Sequence, residues 1–100
     1  MILNEHDSGR LIEMNVNEIL VVYLQENPTT GYLWKVEETY GIEQVSDHFE
    51  PGGAIGAAGL RVFKFQINGI GLYELHIKNW REWEGDVSII NRFKVKIVVK

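Results

Sequence analysis

Short segments rich in β-branched residues recur about every ten residues along this chain. Valine and isoleucine together number 21, against three alanines and eight leucines. β-Branched side chains suit the pleated surface of a sheet and lose rotamer freedom in a helix. Besides a short piece near residues 2–3, the segments lie at 10–14, 18–25, 32–38, 42–49, 60–67, 71–79 and 89–99. This spacing predicts an all-β fold, an antiparallel β-sandwich of about seven to eight strands.

The length and composition indicate a single domain, residues 1–100, with its own core. Of the 100 residues, 45% are hydrophobic and none is cysteine. Without cysteine the chain has no disulfide framework, thiolate metal site or thiol nucleophile. The three histidines lie in separate segments and lack metal-ligand spacing, at His6, His48 and His76. We therefore expect neither a metal nor a cofactor.

Targeting signals are sparse in this sequence. No apolar run approaches the roughly 18–20 residues that span a bilayer, so we expect no membrane partner. The segment Met1–Asp7 lacks the charged-then-apolar plan of a signal peptide. A cytoplasmic location is expected unless an export segment lies outside this chain, and the sequence leaves the compartment open.

Charge is distributed unevenly along the chain. Residues 1–50 carry ten acidic and two basic side chains, residues 51–100 carry four and eight, and the formal net charge is −4. Arg92, Lys94 and Lys96 alternate along the last segment, which places them on one face of a strand. A nucleic-acid groove needs more cationic side chains and exposed stacking aromatics. We interpret the row as a solvated strand face and expect no nucleic-acid partner.

The connections between segments are of two kinds. Three are tight, at 15–17, 39–41 and 68–70. The last contains Asn68-Gly69, a strong signal for a hairpin between the flanking strands. Three others are longer and chemically distinctive, at 26–31, 50–59 and 80–88. Because successive connections in an antiparallel sandwich alternate between its ends, we expect these three at one end, where immunoglobulin domains build a binding surface.

The first long connection reads Asn27-Pro28-Thr29-Thr30-Gly31-Tyr32. Pro28 fixes its own φ and keeps Asn27 extended, and Gly31 permits a left-handed or crowded position. We expect the two threonines on a stiff, protruding turn with their hydroxyls available to a partner. The alternative is an ordinary Pro-Gly turn between two strands.

The second long connection ends in Gly56-Ala57-Ala58-Gly59. A phosphate cradle needs a helix N-terminus after the glycines, but a strand is expected to follow here. A mobile loop that shapes itself to a partner is the better interpretation.

The third long connection places two tryptophans around an arginine and a glutamate. Trp and Arg are among the residue types most enriched at binding hot spots. Trp80, nearer the strand, is expected to cover the end of the core, and Trp83 is expected to be an exposed contact. The alternative is that an indole here serves only the core.

Together these connections resemble the chagasin family, reversible protein inhibitors of papain-like cysteine peptidases built on an immunoglobulin-like sandwich. The resemblance spans about residues 20–99 and rests on Asn27–Tyr32 with Trp34, the glycine-rich loop before Leu60, and Arg81-Glu82-Trp83. The first motif matches the family's Asn-Pro-Thr-Thr-Gly-aromatic pattern throughout. Two positions depart from the family: Ala58 replaces a glycine, and Glu82 replaces a proline, which loses stiffness and adds a negative charge.

The resemblance implies an immunoglobulin-like fold that inserts a wedge of three loops into a peptidase. It places Thr29 and Thr30 in the catalytic cleft beside the nucleophilic cysteine, with Gly56–Gly59 along one wall and Arg81 and Trp83 on the other. The peptidase-binding residues that it implies are Asn27, Pro28, Thr29, Thr30, Gly31, Tyr32, Gly56, Ala57, Ala58, Gly59, Arg81 and Trp83. The implied partner is a papain-like peptidase of the papain or cathepsin L type, and we expect the chain to be a monomer.

No catalytic constellation is visible in the sequence. Ser46-Asp47-His48 has the residue types of a triad, but on a strand Asp47 points to the face opposite Ser46 and His48. We therefore expect no catalytic residues and no enzyme activity, and interpret the chain as a peptidase inhibitor. The alternative is an immunoglobulin-like adhesion or ligand-recognition module that uses the same loops.

Overall fold

The computed structural model describes residues 1–53 and 58–100, which form strands and short 3₁₀ segments. The strands are β1 Ile2–Asn4, β2 Leu11–Met14, β3 Ile19–Glu26, β4 Leu33–Val36, β5 Glu43–Glu50, β6 Gly59–Gln66, β7 Gly71–Trp80 and β8 Asn91–Val99. The 3₁₀ segments are Glu5–Asp7, Pro28–Thr30 and Glu82–Ser88. Within these two ranges no helix is long and apolar enough to cross a membrane.

The strands form two four-stranded sheets, ordered β1-β3-β6-β5 and β2-β8-β7-β4. Pairing is antiparallel except at two edges, where β1 runs parallel to β3 and β2 runs parallel to β8. The predicted β-sandwich is confirmed. The two short edge strands lie at the start of the chain, and each adds to the sheet beside a strand that comes later in the sequence.

The hairpin predicted at Asn68-Gly69 is wrong. β6 pairs with β3 and β5, whereas β7 pairs with β4 and β8, so residues 67–70 cross from one sheet to the other. A two-residue hairpin spans neighbouring strands about 5 Å apart, but facing sheets lie about 10 Å apart. The residue with positive φ here is Gly71, at 147°, which is the first residue of β7 and lies beyond the Asn68-Gly69 pair.

The core lies between the sheets and is built from alternate residues of each strand. β3 contributes Leu20, Val22 and Leu24, each fully buried. The same alternation in β6, β7 and β8 buries Phe63, Phe65, Leu75, Ile77, Phe93, Val95 and Ile97. Trp34 of β4 closes this core near one end, with 6% of its surface exposed and its Nε1 donating to the Gln25 carbonyl at 2.8 Å.

The strand registers bring three connections to one end of the sandwich. In one sheet the end of β3 and the end of β5 lie beside the start of β6, with Glu26 opposite Gly59 and Glu50 opposite Leu60. In the other sheet the start of β4 lies beside the end of β7. We call this the loop end. It carries the first loop (residues 27–32), the second loop (51–58) and the third loop (81–90), as expected.

The burial of Trp34 gives a test of the core at the loop end. Trp34→Ala should lower the free energy of unfolding by about 3–5 kcal/mol, because it removes a buried indole and leaves a cavity. Trp83→Ala is the matched control, since that indole is 71% exposed, and should change stability by about 0.5 kcal/mol or less. Urea denaturation followed by circular dichroism measures both. Equal stability of the two variants would contradict the placement of Trp34.

Candidate functional site

The first loop is a single 3₁₀ turn held by its own side chains. Asn27 precedes Pro28 in extended conformation and caps the turn, accepting from the Thr29 N–H at 3.2 Å. The Thr29 hydroxyl donates to Asn27 Oδ1 at 2.6 Å, and the Thr30 hydroxyl donates to the Asn27 carbonyl at 2.8 Å. Both threonines are exposed. Both hydroxyl protons are used within the loop, so the exposed hydroxyls are available to a partner as acceptors.

Gly31 ends this turn in left-handed conformation, with φ of 80°. A Cβ at this position would lie 2.6 Å from Cη2 of Trp83, so the indole of the third loop rests directly against the glycine. Most of the indole still faces solvent, as predicted for Trp83. Glycine is therefore required here both by the backbone angle and by the close approach of the third loop.

Arg81 makes a second link between the first and third loops. Its Nε and Nη2 donate to the Thr30 carbonyl at 3.2 and 3.1 Å. Its guanidinium carbon lies 4.3 Å from the centroid of the Tyr32 ring, and Nη1 lies 3.5 Å from Glu84 Oε1. The sequence predicts that Arg81 contacts a peptidase. In this structure its guanidinium is turned onto the first loop of the same chain.

The third loop is kept in shape by Ser88, which the sequence analysis missed. The loop contains two 3₁₀ turns joined at Gly85, whose φ is 72°. Ser88 is buried, and its Oγ accepts from the Arg81 N–H at 2.9 Å while lying 2.6 Å from the Gly85 carbonyl oxygen. A lone serine in a loop carries no distinctive signal in a sequence, so only the fold reveals that it fixes the backbone of Arg81.

Glu26 is the second residue that the sequence analysis missed. It is 2% exposed and immediately precedes the first loop. Its Oε2 accepts from the Trp34 N–H at 2.9 Å, and its Oε1 accepts from Arg61 Nη2 at 2.8 Å. One carboxylate thus ties the residue before the first loop to a residue just after it. The available signal was a carboxylate at the end of a strand whose first six residues, 19–24, are apolar on both faces.

Arg61 extends this link to the strands that flank the second loop. Its Nη1 donates to Asp47 of β5 at 3.0 Å, while its other nitrogens contact Glu26. The hydrogen bonds that Arg61 donates to the Glu26 carboxylate raise the pKa of Arg61, and burial opposes that rise. The guanidinium therefore stays charged. It links the strand that precedes the first loop to the strand that leads into the second loop.

The second loop is described only at its ends. The predicted contacts Gly56 and Ala57 lie outside the described residues, and Ala58 is half-buried. Gly59 is buried as the first residue of β6, and a Cβ there would overlap the Glu50 carbonyl oxygen and the Phe49 ring. The structure thus places Gly59 at the base of the loop rather than on its surface, and packing accounts for the glycine.

Trp80, at the end of β7, does not have its predicted role as a cover for the core, because Trp34 takes that place and Trp80 shares a face of the strand with Lys78. It is half-buried, and the Lys78 Nζ lies 3.5 Å from the centroid of its ring. Trp80, Trp34, Trp83, Gly31 and Arg61 are among the residues that line a cleft of about 440 Å³ beside the first and third loops. The three tryptophans therefore line one concave surface.

The residues of the Ser46-Asp47-His48 sequence do not form a triad. Asp47 lies opposite Phe63 and pairs with Arg61, whereas Ser46 and His48 lie opposite Lys64 and Val62 on the other face of the sheet. Across residues 1–53 and 58–100, no three acidic, histidine or cysteine side chains are grouped so that they could hold a metal ion.

The loop end defines a class of protein: a β-sandwich that presents two interlocked loops, the first and the third, at one end. The model of the chagasin family of peptidase inhibitors, I42, matches residues 13–97. This chain belongs to that family, which confirms the predicted resemblance and the predicted class of function.

Individual relatives agree with this assignment. Amoebiasin-2 of Entamoeba histolytica is 23% identical, with 99% of this chain and 85% of the relative covered. Chagasin of Trypanosoma cruzi is 26% identical, with 88% and 87% covered. The crystal structure of the cysteine protease inhibitor EhICP2 from Entamoeba histolytica superposes with a TM-score of 0.87 at 21% identity, covering 99% of this chain and 94% of that one. That structure supports the fold.

The contact between Gly31 and Trp83 can be tested with a matched pair of substitutions. Gly31→Ala and Gly9→Ala both place alanine at a positive φ, 80° and 91°, but only the first meets another residue. Both should lose roughly 1–2 kcal/mol of stability from the backbone angle. Gly31→Ala should also displace the indole of Trp83 and shift its side-chain N–H resonance in NMR spectra. An unchanged resonance would contradict the packing of the two loops.

Proposed function

We propose that this chain is a reversible inhibitor of papain-like cysteine peptidases, of the papain or cathepsin L type, and acts as a monomer through its loop end. The observation that carries this proposal is the joining of two loops into one surface. Arg81 and Trp83 of the third loop hold Thr30 and Gly31 of the first. Family membership supports the class of target, since the related EhICP2 is described as a cysteine protease inhibitor.

The first loop is the part that enters the catalytic cleft in this proposal. Thr29 and Thr30 are exposed on its turn, and they fill the space that a substrate would need. The peptidase supplies the reactive thiol, because this chain contains no cysteine. The chain itself acts as a plug and carries out no chemistry, so we propose that it is not an enzyme.

The other two loops contact the walls of the cleft. Trp83 is 71% exposed and offers a large apolar side chain on one side, and the second loop, including Ala58, lies on the other. Together the three loops can form an interface of the standard size, about 800 Å² on each partner. Truncation of a central tryptophan in such an interface typically costs about 2 kcal/mol or more.

Preorganisation favours tight binding by this surface. Binding costs free energy when loops and side chains must be ordered at the interface. Here the turn of the first loop is closed by Asn27 and its base is fixed by Glu26. Much of that ordering is already complete in the free inhibitor, so more of the contact energy contributes to affinity.

Titration into papain with a fluorogenic peptide substrate tests this proposal. We expect inhibition at or below micromolar concentration. Trp83→Ala should raise the inhibition constant roughly 30-fold, which corresponds to about 2 kcal/mol. The double variant Thr29→Ala/Thr30→Ala should also weaken inhibition, because it removes side chains from the cleft and bonds from the turn.

Tyr40→Ala is the control for these variants. Tyr40 is 82% exposed in the connection between β4 and β5, at the opposite end of the sandwich. Its removal should leave inhibition unchanged. Absence of inhibition by the unaltered chain would contradict the proposed target, and full potency of Trp83→Ala and of the double threonine variant would contradict the use of the loop end.

A further inference from the structure

Three backbone carbonyls of the first loop accept hydrogen bonds within the inhibitor. The Asn27 carbonyl accepts from the Thr30 N–H at 3.3 Å, and the Pro28 carbonyl accepts from the Gly31 N–H at 3.1 Å. These two bonds belong to the turn itself. The Thr30 carbonyl differs, because both of its recorded donors are guanidinium nitrogens of Arg81, which lies in another loop.

A cysteine peptidase needs a free carbonyl oxygen in order to cleave a bound chain. As the thiolate attacks the carbonyl carbon, the oxygen becomes an oxyanion and must be met by donors of the enzyme at about 2.7–3.1 Å. The Thr30 oxygen is already held by two charged N–H groups. Moving it into the oxyanion hole requires those charge-assisted bonds to break or distort.

Arg81 is itself held firmly in the position that allows this contact. Its guanidinium stacks on Tyr32 at 4.3 Å, and its backbone N–H is bonded to the buried Ser88. Its side chain is about one-third exposed, at 32%. With its guanidinium stacked on Tyr32 and its backbone fixed by Ser88, Arg81 is positioned to keep the Thr30 carbonyl covered.

We propose that Arg81 is a positioning residue that protects the Thr30–Gly31 peptide bond from the bound peptidase. This inference rests on the proposed function and concerns why the chain is an inhibitor and not a substrate. In the reaction that Arg81 prevents, the thiolate bonds to the Thr30 carbonyl carbon and the Thr30–Gly31 bond breaks. The Gly31 amine leaves with a proton from the catalytic imidazolium, and water then hydrolyses the thioester to free the Thr30 carboxylate and the thiol.

The test compares the unaltered chain with Arg81→Met, which keeps a long side chain but has no donor. Each is incubated with equimolar papain, and intact mass and residual inhibition are followed over time. The unaltered chain should stay whole. Arg81→Met should yield fragments 1–30 and 31–100 about 10- to 100-fold faster, the range that one charge-assisted hydrogen bond represents. Arg81→Lys, which retains a charged donor, should be cleaved more slowly than Arg81→Met.

Trp83→Ala serves as the control for general loosening of the first loop. It removes the packing on Gly31 but leaves the Thr30 carbonyl bonded to Arg81, so it should bind less tightly without cleavage at residue 30. Equal cleavage of Trp83→Ala and Arg81→Met at this bond would overturn the proposal. Increased mobility of the first loop, and not loss of the hydrogen bonds to the Thr30 carbonyl, would then explain the cleavage. Cleavage of Arg81→Met only at other bonds would overturn it too.

An inhibitory Arg81→Met variant that remains intact as long as the unaltered chain would also overturn the proposal. Circular dichroism shows whether the variant is folded; if it is not, Arg81→Leu, which also lacks a donor, takes its place with the same expected fragments. Failure of the proposed function is distinguishable, because it appears in the unaltered chain as a lack of inhibition before any variant is compared.

Discussion

Strand direction is the constraint on which this binding surface depends. The pairing of β3 with β6 and of β7 with β4 fixes which end of the sandwich each connection leaves. Because those registers are held by the side chains of the core, the positions of the loops are set by residues buried between the sheets. The buried carboxylate of Glu26 also links the two sheets, since it accepts hydrogen bonds from Trp34 in one sheet and Arg61 in the other.

Rigidity in the loops comes from polar contacts and not from regular secondary structure. The first loop is closed by Asn27, covered by Trp83 and clamped by Arg81. These contacts lie near the surface, where one hydrogen bond contributes about 1 kcal/mol. Together these contacts hold the exposed threonines in the 3₁₀ turn. Such a loop can fill a catalytic cleft without offering an extended, hydrolysable segment.

Much of this arrangement follows from patterns that a sequence carries. Alternation predicts which strand residues are buried, and the order of long and short connections places three loops at one end. The Asn68-Gly69 signal failed because local turn preference does not reveal whether flanking strands share a sheet. Glu26 and Ser88 were missed because their importance comes from partners distant in sequence, such as Arg61. Arg81 was recognised as important, but its orientation depends on a carbonyl 51 positions away in the chain.

The central claim is that the loop end is one surface that binds a peptidase. The most direct measurement is an NMR titration of the ¹⁵N-labelled chain with papain whose active-site thiol carries a small reversible block. We expect the perturbed amides to cluster at residues 27–32 and 81–88, together with amides of the second loop. Perturbations confined to the outer faces of the sheets, or to the opposite end around Tyr40 and Gly69, would contradict it.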